Sequence, residues 1–547
     1  MVAIRTAFLI TSVTTLFASS VGCSDPVSVE VNIVQPCNQE PLKQLDYLRF
    51  VPTGQDIESR DLTSVYPVEK PLTSPIPLPL AGDFQLLVTG HRETYNSPTA
   101  GIGISPVIDL SQATPTAPVA INVPFALVDE FYKTTNLSEP TSFTEMKNPR
   151  YGASATYLPT VGKVLIVGGI ALGQAAPKYR RAIEMFDPST GLFSEVGEIK
   201  LDLARAFHRA DLLSDGRVLI TGGVGEDGIQ TIARRTAFTV KPRENSERVT
   251  VSNPVNMRKP RTGHTTVALK DGRILLVGGR QLNPDAISPE DHFYLADVEV
   301  YDPVDGQFIS PADPQSGSLV EMTVPRYGHS TLVLGDGNTV FVAGGFNQDG
   351  PQRSLDILEV TGDEITITAT ATIQAAPIFH SALRVSADTV LLSGGYLETL
   401  DADPRGQVEI TTVSNSQKTV EMWRFAELFA GGPSQLTRVC DDQMSRERGH
   451  HTSGISGRRA VFIGGHTLTG ATTNTAELVY LADNIGGKCF AQAPTLLGMS
   501  DSRAGHSSTV LPSGELLLVG GITQSNDSTQ SLTSSEVFSP ARNLVEF

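Results

Sequence analysis

Arginine and histidine recur three residues apart in the C-terminal three quarters of the chain, and both side chains can do chemistry. Imidazole nitrogens bind transition metals, and guanidinium groups bind carboxylates and phosphates through paired hydrogen bonds. The phrase R-x-x-H is complete at Arg205–His208, Arg261–His264, Arg326–His329 and Arg503–His506. Degenerate copies begin at Arg150, at Pro377 and at either Arg446 or Arg448. The chemistry open to these residues depends on the elements that position them.

Each phrase precedes an apolar run that ends in two glycines. Runs of four or five apolar residues without alternation are typical of a strand buried on both faces, and glycine allows a turn and a close approach to a neighbour. Asp215-Gly216 and Asp271-Gly272 illustrate the turn signals between phrase and run, which predict a two-strand hairpin. The glycine pairs are Gly168-Gly169, Gly222-Gly223, Gly278-Gly279, Gly344-Gly345, Gly394-Gly395, Gly464-Gly465 and Gly520-Gly521.

A third strand is predicted after the glycines, where the pattern Glu-x-aromatic recurs. The pattern occurs at Glu184–Phe186, Glu299–Tyr301, Glu421–Trp423 and Glu536–Phe538. In the second repeat Phe238-Thr239-Val240 takes its place. A fourth, aromatic strand is predicted in some repeats, at Phe193, Phe308 and Phe547.

This order of phrases resembles the Kelch repeat, although the final tryptophan of that repeat is missing. The resemblance implies an all-β fold in which residues 149–547 form a β-propeller of seven four-stranded blades, with the R-x-x-H strand innermost. Six or eight blades remain alternatives. Kelch propellers include copper enzymes of the galactose-oxidase type, whose site has two His and two Tyr, one of the Tyr being cross-linked to a Cys. We find no match to that site around Cys37, Cys440 or Cys489.

The repeated histidines are predicted to be structural, because a residue present in most blades is more simply explained by hydrogen bonds within its own blade. His466 and the adjacent His450 and His451 are the better candidates for metal ligands. Neither group predicts a metal site.

The repeated arginines have two interpretations. In equivalent blades they would face one mouth of the channel, where they could bind acidic ligands. Alternatively each pairs with a third-strand glutamate such as Glu184 or Glu299, because like charges without partners are costly. The candidate ligand-binding residues at the channel mouth are Arg150, Arg205, Arg261, Arg326, Arg448 and Arg503.

Residues 1–22 predict an export signal, with Arg5 before an uncharged and mostly apolar stretch. The segment from Ser20 to Cys23 resembles the lipobox of bacterial lipoproteins, although Ser20 replaces the usual Leu. The resemblance implies lipidation of Cys23 and, with Ser24 after it, an outer-membrane location. The alternative is a plain secretory signal with Cys23 as an ordinary thiol. No other apolar run approaches spanning length.

Residues 23–135 are expected to form a separate β-rich domain, an immunoglobulin-like sandwich, joined to the propeller by a linker at 136–148. Cys440 and Cys489 lie one repeat apart, so they are either a disulfide between neighbouring blades or two buried thiols.

The sequence favours a binding function over catalysis. A net charge of −17 argues against nucleic acid as a partner. The sequence contains no serine-hydrolase, metalloprotease, P-loop or paired-cysteine zinc motif, and we predict no catalytic residue and no cofactor. Long insertions follow Gly169, Gly279, Gly395 and Gly521. We therefore expect a cell-envelope binding or scaffold protein whose propeller loops hold a protein or glycan. The alternative is a carbohydrate-active enzyme, of oxidase or mutarotase type, with its site at one channel mouth.

Overall fold

The computed structural model describes residues 11–18, 27–35, 41–53, 64–68, 84–105, 107–108, 119–139, 142–173, 178–227, 230–243, 246–283, 291–311, 317–373, 378–396, 416–427, 434–482, 487–525 and 528–541. These residues form strands and two short 3-10 helices, Pro41–Gln44 and Leu201–Leu203. The prediction of an all-β fold is confirmed. In the described part of the chain, no helix is long and apolar enough to cross a membrane.

The strands before residue 128 form one mixed sheet of seven strands. The strands are β1 (Thr11–Ala18), β2 (Val27–Val34), β3 (Tyr47–Thr53), β4 (Ser64–Pro67), β5 (Gln85–His91), β6 (Thr99–Ile104) and β7 (Val119–Leu127). Their order is β1-β2-β7-β6-β5-β3-β4, and β2 and β7 are the only parallel neighbours among these described strands. Strand β7 pairs with β2 over Val119–Pro124 and with β6 over Phe125–Leu127, and the immunoglobulin-like sandwich stays a prediction.

The apolar core of this domain is supplied by alternate residues of its strands. Val31, Phe50, Val88 and Phe125 belong to one buried cluster. Strand β1 covers part of the predicted export signal and pairs with β2. Cys23 and Cys37 lie outside the described residues.

In each of seven further sheets of four or five strands, the second strand ends directly before a Gly-Gly pair. The innermost strands are β9 (Ser154–Leu158), β15 (Arg209–Leu212), β22 (Thr265–Ala268), β28 (Ser330–Val333), β34 (Ser381–Arg384), β38 (Thr452–Ser456) and β42 (Ser507–Val510). The second strands are β10 (Lys163–Val167), β16 (Val218–Thr221), β23 (Ile274–Val277), β29 (Thr339–Ala343), β35 (Thr389–Ser393), β39 (Arg459–Ile463) and β43 (Leu516–Val519).

The third strands are β13 (Ala182–Asp187), β19 (Thr236–Pro242), β26 (Val298–Asp302), β32 (Ser354–Thr361), β36 (Thr419–Glu427), β40 (Thr475–Tyr480) and β46 (Ser535–Ser539). The outer strands are β14 (Leu192–Glu198), β20 (Val249–Val251) with β21 (Val255–Asn256), β27 (Gln307–Ile309), β33 (Glu364–Thr372), β37 (Ser434–Gln443), β41 (Thr495–Gly498) and β8 (Glu130–Lys133).

The second strands are buried on both faces, as their unbroken apolar runs predict. Every residue of β16 and β23 is buried. Apolar side chains of neighbouring blades share clusters, as Val277 of β23 and Val342 of β29 do. Burial between blades therefore holds the ring together.

The ring is closed by a strand from the N-terminal side of the propeller. Strand β8 pairs with β46, with Tyr132 opposite Val537, and Phe131 packs on Phe538 with ring centroids 4.9 Å apart. The predicted domain boundary at 135 is therefore wrong, because β8 supplies the outer strand expected at Phe547, a residue outside the described part. Closure in this way pairs a strand edge that would otherwise be open.

The predicted linker at 136–148 is also part of the propeller. The backbone N–H of Lys147 donates to Glu184 Oε2 at 2.8 Å, and that of Met146 donates to the carbonyl of Thr533 at 3.0 Å. These bonds attach the segment to the first and the seventh blades.

Candidate functional site

Six of the seven Gly-Gly pairs join their blade to the next blade through hydrogen bonds between described residues. The N–H of Gly169 donates to the carbonyl of Arg205 at 2.8 Å, and the N–H of Gly521 donates to that of Arg150 at the same distance, which links the last blade to the first. All the repeat glycines have positive φ, between 56° and 102°. A Cβ on Gly278 would lie 2.7 Å from the carbonyl oxygen of Arg326. The glycines are therefore required by backbone conformation and by space.

The repeated arginines do not form an anion site at the channel mouth, and that hypothesis is wrong. Their side chains are buried inside their own blades, where carbonyl groups and carboxylates surround them. Arg261 donates to the carbonyl of Gly278 at 2.8 Å and pairs with Glu299 and Asp297. The fully buried set is Arg150, Arg205, Arg261, Arg326, Arg448 and Arg503.

Carboxylate partners explain why these cations can be buried. Arg150 pairs with Glu184 at 2.8 Å, Arg326 with Asp356 at 2.9 Å, Arg448 with Glu477 at 3.1 Å and Arg503 with Glu536 at 2.8 Å. The sixth repeat therefore uses Arg448, and Arg446 is exposed.

Arg205 is the exception, because Phe238 replaces the third-strand glutamate of its blade. Its guanidinium donates to the carbonyl groups of Leu203, Gly222 and Thr236 and lies 4.8 Å from the Phe238 ring centroid. Burial, with Arg234 nearby, lowers its pKa to about 9. The second blade thus holds a buried cation without a paired carboxylate.

The repeated histidines hydrogen-bond to the preceding blade, so the expectation of bonds within their own blade is wrong. His208 Nε2 lies 2.9 Å from Ser154 Oγ, and His329 Nε2 lies 2.9 Å from Thr265 Oγ1. Burial and the neighbouring Arg205 lower the pKa of His208 to about 3, so it is neutral at physiological pH. Equivalent bonds join His264, His380, His451 and His506 to Thr221, Ser330, Ser393 and Thr452.

Two of the three histidines singled out as ligand candidates belong to an aromatic cluster at the Gly-Gly end of the channel, whereas His451 bonds to Ser393. Tyr396 Oη lies 2.8 Å from His466 Nδ1, and the His450 ring centroid lies 4.1 Å from that of Phe379. Burial lowers the pKa of His450 to about 3 and that of His466 to about 4. No group of three or more His, Cys, Asp or Glu residues in the described chain could hold a metal.

Three blades carry a bulky residue where the others have glycine. Phe207, Phe379 and His450 have φ of 54°, 52° and 51°. The equivalent residues Gly152, Gly263, Gly328 and Gly505 have φ between 56° and 65°. Left-handed backbone at a non-glycine residue costs on the order of 1 to 2 kcal/mol. All three residues contact other aromatic rings at the end of the channel, and these contacts offset the strain.

The channel itself contains a cavity of about 590 Å³, lined by the innermost strands of all seven blades. Serine and threonine dominate the lining, and the hydroxyls of Ser154, Thr265, Ser330 and Thr452 bond to histidines of the following blade. Apart from the histidines, Arg209 and Asp211 are the only described residues of the cavity lining that have ionisable side chains of charged type. Both lie on β15 of the second blade.

Asp211 is an unusual carboxylate. Its Oδ1 accepts a hydrogen bond from Thr266 at 2.9 Å, while Oδ2 is buried without a hydrogen-bond partner. Burial raises the pKa of Asp211 to about 6, against the lowering effects of Thr266 and Arg209. Arg209 donates its Nε–H to the carbonyl of His264 at 2.7 Å and remains exposed. We missed both residues in the sequence, although no other innermost strand has a charge at its first or third residue.

Five blades have an additional two-stranded hairpin directly after the Gly-Gly pair. The hairpins are β11 (Ile170–Ala171) with β12 (Lys178–Tyr179), β17 (Val224–Asp227) with β18 (Gln230–Ala233), β24 (Arg280–Gln281) with β25 (Phe293–Tyr294), β30 (Phe346–Asn347) with β31 (Gly350–Pro351), and β44 (Ile522–Ser525) with β45 (Ser528–Ser531). All connect a second strand to a third strand, so all leave the ring at the same end. We call this end the hairpin face.

The hairpins support one another around the ring. The N–H of Leu172 donates to Ser531 Oγ at 3.0 Å, which joins the first blade to the seventh. The N–H of Gln524 donates to Thr472 Oγ1 at 2.8 Å, which joins the seventh to the sixth. The insertion after Gly395 lies outside the described residues, at 397–415.

A disulfide links Cys440 of β37 to Cys489, which follows β40, with their Cα atoms 5.3 Å apart. It joins the fifth blade to the sixth, so the alternative of a disulfide between neighbouring blades is confirmed and that of two buried thiols is wrong. Neither sulfur is therefore a free thiol that could cross-link to a tyrosine, as the galactose-oxidase type of copper site requires.

Comparison with known proteins gives limited similarity. No family model matches the chain. An F-box/kelch-repeat protein of Arabidopsis thaliana is 27% identical over 135 residues, which are 24% of this chain and 26% of that protein. The chain thus matches only about a quarter of the length of that relative.

Two solved structures are similar at low identity. A fungal alcohol oxidase of the AA5 family, in complex with copper, is 14% identical over 72% of this chain and 75% of its own, with a TM-score of 0.49. The protein YjhT is 16% identical over 65% of this chain and 99% of its own, with a TM-score of 0.42. The sheet topology and the repeated contacts described above are those of a Kelch-type β-propeller.

Proposed function

We propose that this protein is an exported, lipid-anchored binding protein of the cell envelope that holds a partner on its hairpin face. The observation that carries the proposal is the recurrence of a hairpin at the same point in five blades. A closed ring of four-stranded blades does not need these hairpins, since the sixth blade has only isolated bridges in that position. Loops on a rigid scaffold are where recognition commonly resides.

Exposed apolar side chains on this face favour a protein partner over a glycan. Phe293 of β25 is 59% exposed, and Leu468, in the corresponding segment of the sixth blade, is 48% exposed. Aromatic residues are enriched at protein interfaces because they bury much area at low entropic cost. An envelope protein, or a glycan as the alternative, would then lie across the ring.

Phe293→Asp tests this proposal, with Val304→Asp as a matched control. Val304 is 90% exposed in the same blade, but it lies in the turn between the third and outer strands, at the opposite end of the ring. Cross-linking in intact cells, followed by binding measurements on the purified partner, should show at least tenfold weaker binding for Phe293→Asp only. Equal binding by both variants would place the interface elsewhere, and retention by a glycan array alone would favour the glycan.

Anchoring is tested separately through Cys23. Only its thiol could accept a diacylglyceryl group, so Cys23→Ala should abolish labelling by a radioactive fatty acid and leave precursor or soluble protein. Equal labelling of wild type and variant would contradict the lipid anchor.

A further inference from the structure

The seven blades provide an internal control for the channel. At the residue after the R-x-x-H phrase, the other blades have hydroxyl side chains, namely Ser154, Thr265, Ser330, Ser381, Thr452 and Ser507. The second blade has Arg209 there. Two residues later the others have Thr156, Val267, Leu332, Leu383, Gly454 and Thr509, where the second blade has Asp211. Six blades close the ring without a charge at either position, so folding does not require this pair.

Arg209 and Asp211 are placed to act on one ligand. Side chains two residues apart on a strand point to the same side, with Cα atoms about 6.6 Å apart. Both line the cavity of about 590 Å³, a volume in the range of small-molecule sites.

The carboxylate lacks the donor that a buried anion needs. Asp211 Oδ2 is buried without a hydrogen-bond partner, while Oδ1 is held by Thr266. Other hydroxyls of the cavity lining bond to each other, as Thr265 does with Thr331 and Ser381 with Ser453. A buried carboxylate oxygen without a hydrogen-bond donor costs stability, which makes a donating cation from a ligand the fitting complement for Oδ2.

We propose that the channel binds a small zwitterion, an amino acid or short peptide, with its ammonium group on Asp211 and its carboxylate on Arg209. A neutral sugar could donate to Asp211 but would bring no charge to Arg209, and a simple amine or carboxylate would match one residue only. The site is distinct from the hairpin face, so either can fail without the other.

The test is binding of diglycine to the purified full chain at pH 7.5, followed by isothermal titration calorimetry and thermal melting. Ethylamine, acetate and glucose are the single-charge and neutral comparisons. Diglycine should bind and raise the Tm, because a ligand that binds only the folded state stabilises it. The three comparison compounds should bind at least tenfold more weakly.

Arg209→Ser and Asp211→Asn should each weaken diglycine binding at least tenfold. Ser is the residue that the first blade has in place of Arg209. Asp215→Asn is the matched control, since Asp215 is an exposed carboxylate in the turn that follows β15, and it should bind as wild type does. Wild-type binding should also weaken as the pH falls from 7.5 to 5, which tests Asp211 even if its variant does not fold.

Absence of diglycine binding would overturn the proposal, as would unchanged affinity in Arg209→Ser or Asp211→Asn. Glucose binding as tightly as diglycine would show a polyol site in its place.

Discussion

The second and third blades share one repeat and one fold, yet they differ in the partners of the buried arginine, in one residue with left-handed backbone and in the charges that face the channel. In the third blade Arg261 has two carboxylate partners, whereas Arg205 in the second blade has carbonyl groups and the Phe238 ring. Phe207 takes the left-handed position that Gly263 has, and Arg209 and Asp211 enter the channel. Because both blades have the same fold, the residues at which they differ are not required for folding.

The largest effect is expected at the glycines, which both blades share. Gly279→Val places a branched side chain at φ 102°, where a Cβ alone would be 2.9 Å from the carbonyl oxygen of Thr262. We expect a loss of more than about 4 kcal/mol in the free energy of unfolding. Chemical denaturation of wild type and variant measures this loss in the free energy of unfolding. Gly350→Val is the control for φ alone, since Gly350 has φ 97° and open space around it; equal losses would contradict the close-contact argument.

The second largest loss of stability is expected when the buried arginine of either blade is replaced. Arg261→Gln leaves Glu299 buried without its cation and should cost about 3 to 5 kcal/mol. Arg205→Gln removes a cation with no carboxylate partner and should cost about 1 to 2 kcal/mol, mainly in lost hydrogen bonds. Urea denaturation compares the free energies of unfolding of the two variants. The double variant Arg261→Gln/Glu299→Gln should recover part of the loss, and an equal cost for Arg205→Gln would remove the difference between the blades.

Acid should destabilise the propeller through its buried histidines. The pKa of His208 is lowered by burial to about 3, so the unfolded chain binds a proton below pH 6.5 that the folded chain does not. Stability is therefore lost as the pH falls below 6.5, by about 1.4 kcal/mol per pH unit for each such histidine. His208→Gln should reduce the slope between pH 6 and 5 by that amount. An unchanged slope would show that His208 is protonated in the folded protein.

Asp211 should show the smallest effect, with the opposite sign. Its pKa is raised by burial to about 6, so its ionised form is less stable in the folded chain than in the unfolded chain. This cost is absent below about pH 4 and grows as the pH rises through 6. Asp211→Asn should therefore raise stability by about 1 kcal/mol at pH 8 and leave it unchanged at pH 4. Thermal melting at the two pH values checks this; destabilisation at pH 8 would mean that Asp211 is a structural residue.

The sequence alone determined the repeat and the strands that it builds. Apolar runs such as Val218–Thr221 became buried second strands, and the glycine pairs took positive φ, because both features depend on local sequence. A sequence read one repeat at a time also allowed two roles for the arginines. The choice between them required the neighbours in space, since Arg261 finds Glu299 only when the third strand folds beside the second.

Only the tertiary structure decided how the ring closes and what lies inside it. Strand β8 pairs with β46 across about four hundred residues of sequence, and no local pattern specifies such a non-local pairing. The bonds from the six repeated histidines to the preceding blade depend likewise on contacts between blades. Arg209 and Asp211 read as ordinary surface charges along the chain. Their importance follows from closure of the ring, which places them in a channel with little else that is charged.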